Sequence, residues 1–199
     1  MRYFSKEYLR LYWWILRTIP VRFKVKRINP KSVFLSPIFI HNGKNIVIEK
    51  GITIYPGCRM ETHNGGSIVI EENINIGQNF HVISGHQELR IGKNTTISGN
   101  VFITNIDHDY TEIDKHILEQ KHIVKKTGIG ENCFIGYGAA IQAGTVLGKQ
   151  CIVGTYSVVR GVFPDYCVIV GAPAKIVKRY SFKKQAWLRT DANGNFIEQ

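Results

Sequence analysis

The sequence predicts an all-β fold, a parallel β-helix with a helix before it and an extension after it. Apolar residues recur at six-residue intervals, in blocks that change register only at insertions. A helix would repeat its apolar face every 3.6 residues and a simple strand every two, so a sustained period of six indicates short strands joined by tight corners. The fifteen recurring residues are Ile48, Ile54, Met60; Ile70, Ile76, Val82; Ile91, Ile97, Ile103; Ile129, Ile135, Ile141, Leu147, Val153 and Val159.

Two further regularities fit coils made of three such sides. Stacked coils lie about 4.8 Å apart, so residues three repeats apart, such as Ile129 and Leu147, should stack. Two positions before the inward residue, the last block carries small or medium groups that suit a crowded corner: Thr127, Cys133, Ala139, Thr145, Cys151 and Ser157. Glycines often follow the inward residue, which suits turns with unusual backbone angles: Gly77, Gly92, Gly130, Gly136, Gly148 and Gly154.

Residues 1–30 differ in composition from the repeats. Aromatic, aliphatic and basic residues alternate there and predict a helix that Pro20 breaks. The apolar run is too short to cross a bilayer, which needs about twenty residues. The segment either caps the open end of the solenoid, which a terminal coil requires, or lies in a membrane interface through its aromatic and basic residues.

The solenoid is predicted to span residues 31–165, with an irregular first coil around Phe34 and Ile40. Insertions interrupt it, and the largest forms an extended loop at 104–127. A long loop inside so regular a chain is more often functional than decorative, because solenoid insertions often map to the binding face. Residues 166–199 form a C-terminal extension.

Charge and cysteine content narrow the range of possible functions. The formal net charge is +11, which indicates an anionic partner such as coenzyme phosphates, an acidic glycan or a membrane leaflet, or else only a basic solubilising surface. Nucleic acid is disfavoured because no recognition helix or aromatic strand platform is present. The four cysteines show no paired spacing and indicate packing thiols in a reducing compartment.

The long loop contains the most chemically suggestive residues, Asp107, His108 and Asp109. An imidazole can accept and return a proton near neutral pH, because its ordinary pKa is about 6.5. A flanking carboxylate could orient the ring. Taken alone, a histidine in a polar loop is equally compatible with a solvated side chain.

The repeats, the loop with His108 and the run that ends in VGAPAKIVKRY resemble the hexapeptide-repeat acyltransferases, and among them the bacterial sugar and capsular polysaccharide O-acetyltransferases. The resemblance covers about residues 45–180. It implies a left-handed β-helix, a cytoplasmic homotrimer, and acetyl-CoA bound between subunits. It also implies direct acetyl transfer, without a metal, to a hydroxyl of a surface or capsular saccharide. The positive charge favours an acidic acceptor, and residues 1–30 are the segment expected to provide any contact with the inner face of the membrane.

Carried over by position, the resemblance makes His108 the general base, with Asp107, Asp109 or a backbone carbonyl orienting its ring. It implies that coenzyme contacts come from Gly136, Tyr137, Gly154 and Thr155 along the pantetheine arm and from Arg160, Lys175, Lys178 and Arg179 at the phosphates. Two departures stand out. Phe134 replaces the Trp of many relatives, and the immediate motif lacks the second histidine that many of them carry.

Two other functions remain open. A γ-type carbonic anhydrase would bind zinc through three histidines between subunits, chosen from His81, His86, His108, His116 and His122. A non-catalytic solenoid would bind only glycan or membrane. The GAPAK ending and the basic residues near it favour a coenzyme over a metal. Zinc analysis and acetyl-CoA binding separate the three hypotheses.

Overall fold

The inward residues stack across successive coils as predicted. Strand register pairs Ile129 with Leu147, and the two following repeats pair in the same way. The computed structural model describes the backbone of residues 6–197 and the side chains of residues 12–197. In this part of the chain, parallel strands form the three faces of a solenoid.

The strands are short, and each complete coil contributes one to each face. The first face contains Arg27–Ile28, Ile46–Ile48, Ser67–Ile70, Glu88–Ile91, Gly128–Ile129, Val146–Leu147 and Val162–Phe163. The second face contains Val33–Phe34, Thr53–Ile54, Asn75–Ile76, Thr96–Ile97, Phe134–Ile135, Ile152–Val153, Cys167–Gly171, Ala174–Ser181 and Ala186–Arg189. The third face contains Phe39–His41, Arg59–His63, His81–Gly85, Phe102–Thr104, Ala140–Ile141 and Val158–Val159. Single 3₁₀ turns occur at Gly43–Asn45 and Ile117–Glu119.

The core is the column of side chains enclosed by the three faces. All fifteen predicted inward residues are buried, none more than 4% exposed. The position two residues earlier also points inward. It carries small groups in the last coils and larger ones, such as Ile52, Ile74 and Phe80, in the first coils. The four cysteines are free and buried, and three of them donate thiol hydrogen bonds to backbone carbonyls.

The glycines after the inward residues have a different role from the predicted one. None of the six has the positive φ expected of a strained turn, and the left-handed positions are mostly occupied by asparagines, such as Asn73 and Asn94, and by other glycines, such as Gly51. A Cβ atom at Gly130 would instead lie 2.3 Å from the carbonyl oxygen of Gly148. These glycines are needed because the corners of adjacent coils touch.

Gly130→Ala is therefore expected to lower the free energy of unfolding by about 1–3 kcal/mol, the usual effect of overpacking. The added methyl group would press on backbone that hydrogen bonds hold in place, including the one from Gly130 N to Leu147 O at 2.9 Å. Gly128→Ala is the matched control, because its Cβ would lie 3.6 Å from Arg90 O, an ordinary contact. Urea unfolding followed by circular dichroism compares the two. Equal midpoints would contradict the close-approach explanation.

The N-terminal helix spans Lys6–Arg22 and continues through Pro20, so the predicted break is wrong. Proline removes one N–H donor and its ring crowds the carbonyl four residues earlier, and the helix ends two residues after it. Strand Arg27–Ile28 follows after four residues, so the first coil begins before residue 31, where the sequence pattern placed it. Residues 1–5 lie outside the described part of the chain.

The helix packs against the first coil. Thr18 Oγ1 accepts a hydrogen bond from the backbone N–H of Phe34 at 2.9 Å and donates one to Trp14 O at 2.9 Å. Val21 and Val25 are buried in the core. One face of the helix therefore covers the start of the solenoid. Within residues 6–197, no helix has both the length and the apolar character needed to cross a bilayer.

The C-terminal extension continues the second face. Strand Cys167–Gly171 is still parallel to Ile152–Val153, so the boundary drawn at residue 166 falls within the last coil. Strands Ala174–Ser181 and Ala186–Arg189 then add antiparallel to it. The extension is thus part of the sheet and covers the edge of the last coil.

Candidate active site

The long loop begins with a hairpin at the corner between the third and first faces. Strand Ile106–His108 pairs antiparallel with His122–Val124. Asn105, which is fully buried, fixes its base: its side chain accepts a hydrogen bond from Gly85 N at 2.7 Å and donates to Gly85 O at 3.1 Å. A buried amide that loses its hydrogen-bond partners costs free energy, so these bonds hold the hairpin in a defined position on the solenoid.

A cavity of about 450 Å³ lies between the hairpin and the end of the third face. Its walls combine apolar groups with imidazole, carboxylate, guanidinium, amide and hydroxyl groups. The lining residues are His63, Ile83, Phe102, Thr104, Ile106, Asp107, His108, His122, Gln142, Ala143 and Arg160. A concave, partly apolar pocket with a few convergent polar groups is the usual form of a small-molecule site.

Two imidazoles meet in this cavity. His108 and His122 are register partners in the hairpin, and their ring centroids lie 4.9 Å apart in an edge-to-face arrangement. The Nδ1 atom of His108 is buried and has no hydrogen-bond partner within the described residues. Burial, followed by the charge of His108, lowers the pKa of His122. A second histidine, absent from the immediate sequence motif, therefore lies beside His108 on the far strand of the hairpin.

The two aspartates beside His108 have other partners. Asp107 accepts the backbone N–H of His108 at 3.1 Å and forms an ion pair with Arg160 Nη2 at 3.2 Å. Asp109 accepts the hydroxyl of Thr111 at 2.8 Å and its N–H at 3.0 Å, and these bonds lower the pKa of Asp109. Neither carboxylate hydrogen-bonds to the buried Nδ1 of His108. Within the described chain, Asp107 instead ties the hairpin to the coil that ends at Val159.

The residues expected to hold the coenzyme are divided between separate places. Arg160 lies in the cavity with His108. Gly136 and Gly154 lie at the corner after the second face, where their N–H groups donate to the carbonyls of Val153 and Ile169, each at 2.9 Å. Those two N–H groups are therefore used within the solenoid. Tyr137 and Thr155, the other two predicted residues at this corner, are exposed.

The other predicted phosphate contacts lie on strand Ala174–Ser181. Lys175 and Lys178 are exposed, and each is a register partner of strand Cys167–Gly171. Arg179 points elsewhere, since its Nη1 donates to Gly194 O at 3.3 Å and its Nε is buried. Two lysines therefore remain accessible to an anion, whereas Arg179 holds the C-terminal turn.

A buried carboxylate behind the cavity was not found from the sequence. Glu61 accepts hydrogen bonds from Arg59 at 2.5 Å and from His63 and His81 at 3.2 Å each. Burial alone would raise the pKa of Glu61, but these bonds outweigh it and lower the pKa. His63 also stacks on His41 with ring centroids 4.9 Å apart, and it lines the cavity. Alternating polar residues on a strand resemble a solvent-exposed face, so no sequence signal revealed this cluster.

Of the five histidines considered for zinc, His108 and His122 lie side by side, and the other three have separate partners. His81 binds Glu61, and the ring of His116 accepts the N–H of Leu118 at 3.2 Å. In the described part of a single chain, no group of three or more His, Cys, Asp or Glu side chains is arranged to hold a metal.

Comparison with known proteins supports the assignment of the repeats. The family model described as "Bacterial transferase hexapeptide (six repeats)" matches residues 126–161. WbbJ of Escherichia coli K12, named for lipopolysaccharide biosynthesis O-acetyl transfer, is 30% identical over 76% of this chain and 80% of its own length. A probable acetyltransferase of Mycobacterium tuberculosis is 29% identical over 93% of this chain, which spans 62% of that protein's length.

Among solved structures, the N-acyltransferase AntD from Bacillus cereus, in complex with dTDP and 3-hydroxybutyryl-CoA, superposes with a TM-score of 0.71. The match covers 83% of this chain and 89% of AntD at 17% identity. At 17% identity the match supports only a shared fold. The predicted left-handed parallel β-helix of hexapeptide repeats is confirmed.

Proposed function

Because this chain belongs to the hexapeptide-repeat acetyltransferases, we propose that it transfers the acetyl group of acetyl-CoA to a sugar hydroxyl of a surface or capsular saccharide. The observation that carries the proposal is the position of His108. Its imidazole lines a cavity of about 450 Å³ beside a second histidine, and one of its ring nitrogens is buried without a protein partner. Because Nδ1 is buried, Nε2 is the ring nitrogen proposed to meet a hydroxyl group that enters the cavity.

In the proposed reaction, His108 removes the proton of the acceptor hydroxyl while the oxygen attacks the thioester carbonyl. Collapse of the tetrahedral adduct breaks the C–S bond, and the imidazolium returns its proton to the departing sulfur. Backbone N–H groups would stabilise the oxyanion. No acetyl-enzyme is required, and the four cysteines are buried in the core, where they are poor candidates for a nucleophile.

We expect acetyl-CoA to bind between subunits of a homotrimer. The long loop supports this expectation, because Tyr110, Ile113 and Leu118 are each more than 70% exposed in the single chain. Clustered exposed apolar side chains usually mark an interaction site. A neighbouring subunit that covers them would also bring further groups toward His108. Lys175 and Lys178 are the accessible cations proposed for the coenzyme phosphates.

The acceptor is proposed to be a hydroxyl because WbbJ is named as an O-acetyl transferase. A net charge of +11 favours an acidic saccharide. An acetyl-CoA-dependent enzyme is expected in the cytoplasm.

A thiol-release assay with nucleotide sugars and oligosaccharides, neutral and acidic, tests the proposal. Release should exceed hydrolysis only with a hydroxyl acceptor. Stoichiometric zinc with carbon dioxide hydration would favour the γ-type carbonic anhydrase instead.

Arg160 and Lys178 should give opposite kinetic signatures. Arg160→Gln breaks an ion pair whose side chains are 50% and 44% exposed, so stability should change by less than about 1 kcal/mol. The hairpin would lose an anchor, and kcat should fall about tenfold or more without a change in KM for acetyl-CoA.

Lys178→Gln should raise the KM for acetyl-CoA and leave kcat unchanged, because it removes only binding. A raised KM with unchanged kcat for Arg160→Gln would assign Arg160 to the phosphates.

A further inference from the structure

The N-terminal helix carries a second apolar face, opposite the one that packs on the solenoid. Tyr12, Leu16 and Ile19 follow one another at helical spacing, Phe23 continues the line in the turn just after the helix, and we call these four residues the outer stripe. They are 65%, 40%, 44% and 87% exposed. The buried side chains of the same segment, Thr18 and Val21, lie on the other side of the helix. One face of the helix therefore covers the solenoid, and the opposite face is available to bind a partner.

Positive charge is concentrated around the outer stripe. Residues 1–31 contain nine Lys or Arg and one Glu, which accounts for eight of the eleven net positive charges of the chain. Arg17 and Lys24 are exposed in the same segment, and the Arg17 guanidinium lies 5.2 Å from the ring centroid of Trp13, which is 55% exposed. Apolar and aromatic groups flanked by cations are the composition of helices that lie in a membrane interface.

We propose that the outer stripe binds the surface of an anionic phospholipid bilayer, with the helix lying in the plane of the interface. Tyr12, Leu16, Ile19 and Phe23 would enter the boundary between headgroups and acyl chains. Arg17, Lys24 and other nearby cations would contact the phosphates. The proposal does not depend on the acetyl-transfer reaction.

The positive charge of residues 1–31 favours a bilayer over a second copy of the chain as the partner of the outer stripe. A symmetric contact between two outer stripes would bring two segments of net charge +8 together. Such repulsion opposes self-association, whereas an anionic leaflet attracts the same segment. The chemistry of this face therefore fits a bilayer better than another copy of itself.

Co-sedimentation of the full chain with vesicles tests the proposal. The wild type should partition onto vesicles made of equal parts phosphatidylglycerol and phosphatidylcholine, should bind pure phosphatidylcholine weakly, and should be partly released by high salt. Leu16→Glu/Phe23→Glu should reduce partitioning by about tenfold or more. Val162→Glu is the matched control, because Val162 is 76% exposed and lies far along the chain from the helix. It should partition like the wild type.

Thermal unfolding and the mass in solution are measured for each variant. A folded double variant of unchanged mass that no longer binds vesicles supports the proposal. Wild-type protein that stays in the supernatant with anionic vesicles would overturn it, as would a folded double variant that binds as well as the wild type. A double variant that loses subunits while its vesicle binding is unchanged would show that the outer stripe is a subunit contact, which also overturns the proposal.

Discussion

His108→Ala is expected to lower kcat for acetyl transfer by at least about a hundredfold, the lower range of general-base catalysis. The hydroxyl of a sugar is a weak nucleophile at neutral pH, and His108 is the imidazole that both lines the cavity and has a buried, unpartnered ring nitrogen. Binding of acetyl-CoA, measured by calorimetry, should remain, because the proposed phosphate contacts lie on another strand. The loss should therefore fall on kcat rather than on KM for acetyl-CoA.

His116→Ala is the control for this variant. His116 lies in the same loop, is exposed and does not line the cavity, so its removal should change kcat only slightly. His108→Gln distinguishes loss of the base from loss of side-chain volume, since glutamine keeps a polar side chain but cannot take up a proton near neutral pH. If either His108 variant turned over at a near-normal rate with coenzyme bound, His108 would have no part in the mechanism.

Ile97→Ala should lower the free energy of unfolding by about 2–5 kcal/mol. Ile97 is 1% exposed and lies in register between Ile76 below and Ile135 above. Its truncation leaves a cavity between two coils whose backbone hydrogen bonds prevent collapse. Chemical unfolding followed by circular dichroism measures the change.

The neighbouring residue provides the control. Thr96 is in the same strand but points outward and is exposed, so Thr96→Ala should stay within about 0.5 kcal/mol of the wild type. The pair thus compares an inward and an outward position of one repeat. Equal effects of the two substitutions would contradict the assignment of inward residues by the six-residue period.

The repeats were predictable because every coil imposes the same environment at the same position. Ile48 and Val159, at the two ends of the pattern, are both fully buried. The reason for the glycines was not predictable, since spacing alone does not distinguish a strained turn from close contact between coils. The break expected at Pro20 was misplaced by two residues, since the helix continues to Arg22 and ends there.

The site could be predicted only in part. His108 stood out because it lies in the one long insertion, but its neighbours come from distant positions. His122 reaches it across the hairpin, Arg160 arrives from the last coils, and His63 comes from an earlier coil, where Glu61 of its own strand binds it. Such contacts depend on how coils stack and where the loop folds back, and neither can be obtained from local spacing.

A crystal structure of the enzyme with coenzyme A and its acceptor would test the general-base proposal most directly, through the distance from the acceptor hydroxyl oxygen to the nearer ring nitrogen of His108. We expect hydrogen-bond reach, about 2.6–3.2 Å, with the coenzyme sulfur next to that hydroxyl at a contact between subunits. A coenzyme sulfur far from the 104–127 loop of every subunit would contradict the proposal.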